Sequence, residues 1–395
     1  MSQPFSFSVS FALRLGAFLF RPSRASGHSP WVIGGHRGRL HADNAGELHD
    51  FLLRTKSIPV IWVGNGPVVR QLHAQGIPTL RRNSLSAKLA ILRAPVVIYS
   101  HGEDDLDQYA LLWRKALGFR VYLNHCLNHL KAGQCMRKDF QAMGFLRRAL
   151  FRWTMVDFDL LPASSELERK HFVQSLPHLE SRIKVGGGAH LDGIIRRSQE
   201  PTDRRLLWFP TFREGREERL GLEARIREVM GNAALVSWLR QEHRTLFICR
   251  HINSGYGDFA TSADSPIQLC PASALDEMLA HSELLISDYS GVSTDWLVMD
   301  RPAIFFPFDM DAYLRHRNFY ISYEDYHYGP LVHDSAELVR LLVSNQWQNL
   351  APWTERRAYW KSRMFPMTEP GYAASTFAVI QQHLSPSAEG NRNHL

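Results

Sequence analysis

Cysteine is scarce in this chain of 395 residues, with four, at Cys126, Cys135, Cys249 and Cys270. Their spacing fits neither a disulfide framework nor a common zinc pattern, even with His125 and His129 beside the first pair, which points to a reducing compartment. No apolar run is long enough to cross a bilayer: residues 1–24 come nearest, and Arg14 divides them. That segment also lacks the basic leader and small-residue cleavage site of a secretory signal. A glycine-rich Walker loop and a cluster of acidic metal ligands are both missing, so no metal site is expected and fixed cations and helix ends remain as the means of holding phosphate. No arginine-rich block or aromatic-interleaved motif supports nucleic acid as a partner.

What is present suffices for two ordinary domains: 45% hydrophobic residues, 22% charged residues and ten tryptophans. The net charge of +7 is unevenly spread, because residues 1–200 hold 27 Lys and Arg against 15 Asp and Glu, and residues 201–395 hold 19 against 24. The basic half is the one to face an anionic partner, a phosphate-rich polymer or an anionic membrane surface. Phe11, Leu13, Leu15, Phe18 and Leu19, with Arg14, Arg21 and Arg24, suit a helix lying on an anionic leaflet, and equally a helix packed on the first domain.

The most informative stretch is Leu284 to Phe306. Leu284-Leu285-Ile286 reads as a strand buried on both faces, Ser287 to Gly291 as a polar turn, and Ser293-Thr294-Asp295 as the first turn of a helix. Asp300-Arg301-Pro302 ends that helix before Ala303 to Phe306 resume a strand. In such a βαβ unit the free N–H groups of the helix favour a phosphate beyond the strand's carboxyl end. Hydroxyls at Ser290, Ser293 and Thr294 beside Gly291 fit a diphosphate, and they fit helix capping equally well.

The wording of this stretch resembles the signature of the CDP-glycerol glycerophosphotransferase family, the teichoic acid and capsule polymerases. The resemblance continues through Asp309 to Tyr313, Arg317-Asn318-Phe319-Tyr320 and Tyr328-Gly329-Pro330, with Gly291 and Asn318 as departures. Upstream, WVIGGHRGRLHADNAGELHDFLL resembles the family's opening strand, its G-x-x-(Y/H)-x-D-N turn and first helix. VYLNHCLNHLKAG resembles its histidine motif, with His125 on the histidine and Lys131 on the lysine. Val185 to Asp192 resembles a G-Y-P-R-N-D turn without the Pro-Arg pair, and Pro210-Thr211-Phe212-Arg213 resembles P-T-W-R. His251, after the strand Thr245 to Cys249, stands where the family carries a second histidine. His101, in Tyr99-Ser100-His101-Gly102, ends a further strand and reads either as a ligand contact or as a turn residue.

The resemblance implies an α/β fold of two Rossmann-like domains facing across a cleft, the glycosyltransferase B architecture. The boundaries expected are an apolar, basic segment over 1–24, an acceptor-side domain over 25–198, a donor-binding domain over 205–365, and a closing helix with a polar tail over 366–395. It implies a cytoplasmic transferase, peripheral on the inner face of the plasma membrane. Such an enzyme moves glycerol phosphate or a related polyol phosphate from a CDP-activated donor to a hydroxyl of a glycan or lipid-linked acceptor, with CMP leaving and no cofactor beyond that substrate. His125 is then the general base, since an imidazole accepts a proton near neutral pH. His251, Arg213 and the turn of Asp288, Ser290, Gly291, Ser293, Thr294 and Asp295 hold the donor, while His101, Lys131 and Arg317 contact or support the acceptor. A UDP- or GDP-sugar transferase of the same architecture, or a non-catalytic polymer-binding protein, remains the alternative, because fold alone does not choose chemistry.

Overall fold

A computed structural model describes residues 29–125, 127, 129–133, 136, 142–147, 157–249, 262 and 264–384. His251, Cys126, Cys135 and the segment 1–24 lie outside the described residues. The chain divides into two compact units: one holds the described residues up to Leu127, Met143–Gly193 and those from Glu369 onward, and the other holds Asn128–Ala142 and Ile194–Thr368.

The first unit is built on a parallel sheet of β1 (Trp31–Gly34), β2 (Val60–Gly64), β3 (Thr79–Arg81), β4 (Val96–Tyr99) and β5 (Phe119–Tyr122), in the order β3-β2-β1-β4-β5. Every residue of β1 and β4 is buried, as a strand covered on both faces requires. The helix Asp43–Thr55 covers one face through Ala45, Leu48 and Leu52, all fully buried; each leucine contributes about 2 kcal/mol by leaving water. A two-stranded extension pairs β6 (Leu161–Ala163) with β7 (Ile183–Val185). Pro162 lies inside β6, a placement that a short strand at a margin tolerates. Gly187 follows β7, and a β-carbon there would meet the Pro162 carbonyl oxygen at 2.0 Å, so no other residue fits. Asp192 accepts the N–H groups of Gly371, Tyr372 and Ala373 at 2.7 to 3.0 Å and so caps the closing helix Tyr372–Leu384, which packs on the helix Asp43–Thr55 through Phe51 and Phe377.

The second unit repeats the plan with β8 (Arg205–Phe209), β9 (Thr245–Cys249), β10 (Ile267–Cys270), β11 (Ser282–Ser287) and β12 (Ala303–Phe305), in the order β10-β9-β8-β11-β12, again parallel. In each sheet the strand order reverses once, between β1 and β4 and between β8 and β11. Loops beyond the carboxyl ends of those strands are where an open α/β sheet leaves a crevice for ligands. No described helix is long and apolar enough to cross a membrane.

Candidate active site

In the first unit three histidines from three strand ends meet beyond the switch point. His36 follows β1, His101 follows β4 and His125 follows β5. The His125 ring stacks on His101 at 4.3 Å with planes 18° apart, and His101 lies against His36 at 4.5 Å and 56°. His125 is the exposed end of the stack. His36 is hydrogen-bonded through Nε2 to the Asp43 carboxylate. His36, Arg37 and Asp43 all have positive φ, 50°, 53° and 57°; non-glycine residues enter that region at about 1 kcal/mol each, and such strain gathers at functional sites.

Two buried side chains fix this arrangement. Asp105 accepts the N–H groups of Arg37 (2.6 Å), Ser100 (2.9 Å) and His101 (2.8 Å), tying the loops after β1 and β4 together. Burial pushes the Asp105 carboxyl up, but His101 and these N–H groups outweigh it and hold it at about 2. Asn44 donates to the carbonyls of Leu123 and Asn124, each at 3.2 Å, directly before His125, and its oxygen accepts the backbone N–H and ring Nδ1–H of His190. For Asp43, burial again raises the carboxyl, yet the bond from His36 and the charges of His36, His190 and His125 bring it below its usual range. Burial alone would lower His36, and Asp43 raises it overall.

The second unit answers with a closed cluster. The Arg213 side chain is fully buried; it pairs with Asp309 through Nε (2.7 Å) and Nη2 (2.8 Å), with Asp288 through Nη2 (2.8 Å), and donates from Nη1 to the Thr211 carbonyl (2.7 Å). The faces of Tyr289, Tyr313 and Phe308 surround the guanidinium at 5.1 to 5.6 Å. Asp288 also accepts the N–H and hydroxyl of Thr211 and the N–H of Tyr289, so it is the knot of its turn. Tyr326, its hydroxyl pushed up to about 12 chiefly by burial, meets both Ser293 Oγ and Thr294 Oγ1 at 2.8 Å. Ser290 Oγ accepts the Val292 N–H at 3.3 Å.

These placements revise several expectations. Arg213 and Asp288 are joined to each other, because a buried guanidinium needs carboxylates to balance its charge. Ser293 and Thr294 point inward to Tyr326, and Asp295 is buried on the same short helix, Val292–Val298. Gly291 has ordinary helical angles, φ −59° and ψ −23°, and uses none of glycine's conformational freedom. Lys131 bridges to Phe319 and belongs to the second unit, whereas His125 belongs to the first. Arg317 is paired with Glu214 and lies over Tyr313; with Arg213, Gly215 and His316 these residues line a cavity of about 320 Å³ in the second unit. His129 is fully buried.

The sequence reading passed over His36, Asn44, Asp105 and His190 as site residues. The signal for Asn44 was the G-x-x-H-x-D-N turn, Gly38 to Asn44; His36 lies two residues before that turn, and nothing local marks the others. Among the described residues His41, His49 and Asp50 are the only three potential metal ligands gathered within reach of one ion. His41 Nε2 and His49 Nδ1 hydrogen-bond each other at 2.9 Å, and both rings pack on Trp62, at 4.4 and 5.3 Å, which accounts for them as core.

Comparison with known proteins agrees with this picture. The solved wall teichoic acid polymerase TagF superimposes with a TM-score of 0.70 at 17% identity, covering 96% of this chain and 95% of that one, which establishes the shared two-domain glycosyltransferase B fold. The teichoic acid poly(ribitol-phosphate) polymerase of Bacillus spizizenii is 34% identical over 73 residues, 18% of this chain and 12% of that protein. The ribitol-phosphate primase of the same organism is 27% identical over 144 residues, 36% of each chain, so this chain matches only a minor part of those two relatives. The teichoic acid glycerol-phosphate transferase of Staphylococcus aureus is 26% identical over 330 residues, 77% of this chain and 81% of that one. A family model matches residues 35–375, and the chain is a member of that family, the CDP-glycerol:poly(glycerophosphate) glycerophosphotransferases.

Proposed function

We propose that this protein transfers a polyol phosphate, glycerol phosphate or ribitol phosphate, from its CDP-activated form to a hydroxyl of a cell-wall glycan or lipid-linked acceptor. Family membership over residues 35–375 supports the donor class, and the names of the relatives include both glycerol-phosphate and ribitol-phosphate enzymes. The observation that carries the chemistry is His125, an exposed imidazole on a buttressed stack beyond the switch point of the first sheet.

In this reading His125 takes the proton of the acceptor hydroxyl. That oxygen forms a bond to the phosphorus bearing the polyol, and the bond from that phosphorus to the bridging oxygen breaks as CMP departs with the electron pair. An imidazole suits the task, since proton transfer by a positioned group accelerates such a step by about 10²- to 10⁴-fold. The second unit is assigned the donor. Arg213 and Asp288 act there by holding the turn after β11 in shape, and Arg317, expected from the resemblance on the acceptor side, lines the 320 Å³ cavity of this unit and is reassigned here to the diphosphate. His251 is assigned to the same group on sequence grounds. Residues 1–24 are assigned to an anionic membrane surface, from their apolar and arginine-bearing composition.

The test is turnover with purified enzyme and a lipid-linked acceptor, offered CDP-glycerol, CDP-ribitol and UDP-sugars in turn, with CMP release followed. Transfer from a CDP-polyol alone is expected. Turnover with a UDP-sugar and none with either CDP-polyol would replace this reading with a sugar transferase.

A further inference from the structure

The stack beneath His125 ends on a charge pair, and that pair has no part in the proton transfer just described. The His101 and His125 rings, stacked face to face, offer no lone pair or N–H to one another, so a proton is not handed from one to the other through that contact. What such a stack transmits is position and charge. Two neighbouring rings protonated together at 4.3 to 4.5 Å would repel strongly. His36 is bonded to the Asp43 carboxylate. His101 is held by Asp105 through its backbone N–H, and its Nδ1 is 3.1 Å from Ser100 Oγ and 3.8 Å from the Asp105 carboxylate.

We propose that Asp43 and His36 form a charge pair at the foot of the stack that sets the charge His125 meets when it takes up a proton. Asp43 and His36 are then positioning residues, and His101 is the ring that stands between them and His125. The other charged groups at the cluster are Asp105, Arg39 and His190, with Arg37 turned to Asp104. The proposal rests on the functional reading only in taking His125 as the base; the charge pattern itself stands on the stack geometry.

The two members of the pair carry opposite charges, so removing each must move His125 in opposite directions. Asp43→Asn takes away a negative charge and lowers the His125 midpoint; His36→Asn leaves Asp43 unbalanced and raises it. About half a pH unit each way is expected for charges one or two rings distant. Asparagine tolerates the positive φ of both positions, so both variants keep the backbone. The measurement is a ring-proton NMR titration of the full-length protein labelled at histidine, without substrate, with His125 assigned by its absence in His125→Ala. Beside it, the acidic limb of the pH profile of kcat/KM is recorded with CDP-glycerol and acceptor. Opposite shifts in the two variants, matched in the acidic limb, support the pair. Midpoints that stay put, or move together, overturn it, since a merely structural loss has no sign. Opposite shifts in a protein inert to every CDP-polyol would leave the pair standing and overturn the functional reading, whereas unmoved midpoints in an active enzyme would overturn the pair alone.

Discussion

The two switch points of this molecule are built from the same topology and filled with opposite chemistry. Beyond β1 and β4 lie three imidazoles in ring contact, one of them exposed, on a backbone strained at three residues. Beyond β8 and β11 lies a guanidinium locked between two carboxylates and faced by tyrosines, with its hydroxyls turned inward. The contrast separates a place where charge is meant to change from one where it is meant to stay. Motif residues sit in both, so position in a motif does not by itself tell a reacting group from one that shapes a loop.

The sharpest way to break this comparison is to remove one group from each side. His125→Ala is expected to slow transfer by about 10²- to 10⁴-fold while the calorimetric affinity for the CDP-donor stays as in the parent. Retained turnover would end its role as base, and lost donor binding would move it to the other half of the chemistry. Arg213→Met should do the reverse, leaving Asp288 and Asp309 buried without a cation at a cost of about 3 to 5 kcal/mol of stability. The midpoint of urea unfolding measures it; a loss under 1 kcal/mol would mean that water reaches the pair.

These pairings explain how much could be read in advance. Strands such as β1 and β11 show as buried apolar runs; His101 was recognisable because it follows such a run, and His125 because its segment resembles the family's histidine motif. Short strands such as β3, three residues reading Thr-Leu-Arg, leave no apolar signal, and Pro162 masked β6. Asp105 and His190 became site residues only through β1 lying beside β4 and through Asn44 reaching across to β5, contacts made over 68 to 146 residues of chain. The direction of Ser293 and Thr294 was not legible at all, because a capping hydroxyl, a phosphate ligand and an inward partner of Tyr326 are spelled alike.

A pH titration of stability sharpens the contrast from the first unit. Asp105 sits at about 2, below its unfolded value of about 4, so its contribution is complete above pH 4 and is lost as pH falls from about 4 to 2, roughly 2 kcal/mol in all. His36 is raised, so its contribution has the other sign: complete below about pH 6.5 and lost as pH climbs through its folded value. Chemical denaturation across the acid range should therefore show a slope that Asp105→Asn removes. A slope that survives in that variant would assign the acid sensitivity to other carboxylates.

The smallest effect is the most discriminating for the second unit. Thr294→Val keeps the shape of the side chain and removes one of the two hydroxyls meeting Tyr326, while Ser293 keeps the other. Losing one hydrogen bond of a buried network costs about 1 kcal/mol, since Tyr326 retains a partner. Because Thr294 Oγ1 faces the interior, the donor's KM should stay within about twofold of the parent. Ser290→Ala tests the rim of the same turn, where Oγ receives only a 3.3 Å bond from Val292 and the loss in stability should be smaller still. If Thr294→Val instead raised the donor's KM tenfold without loss of stability, the hydroxyl would have to leave Tyr326 for the diphosphate on binding. The second switch point would then be a site that opens when occupied, and the division between a changing half and a fixed half would fail there first.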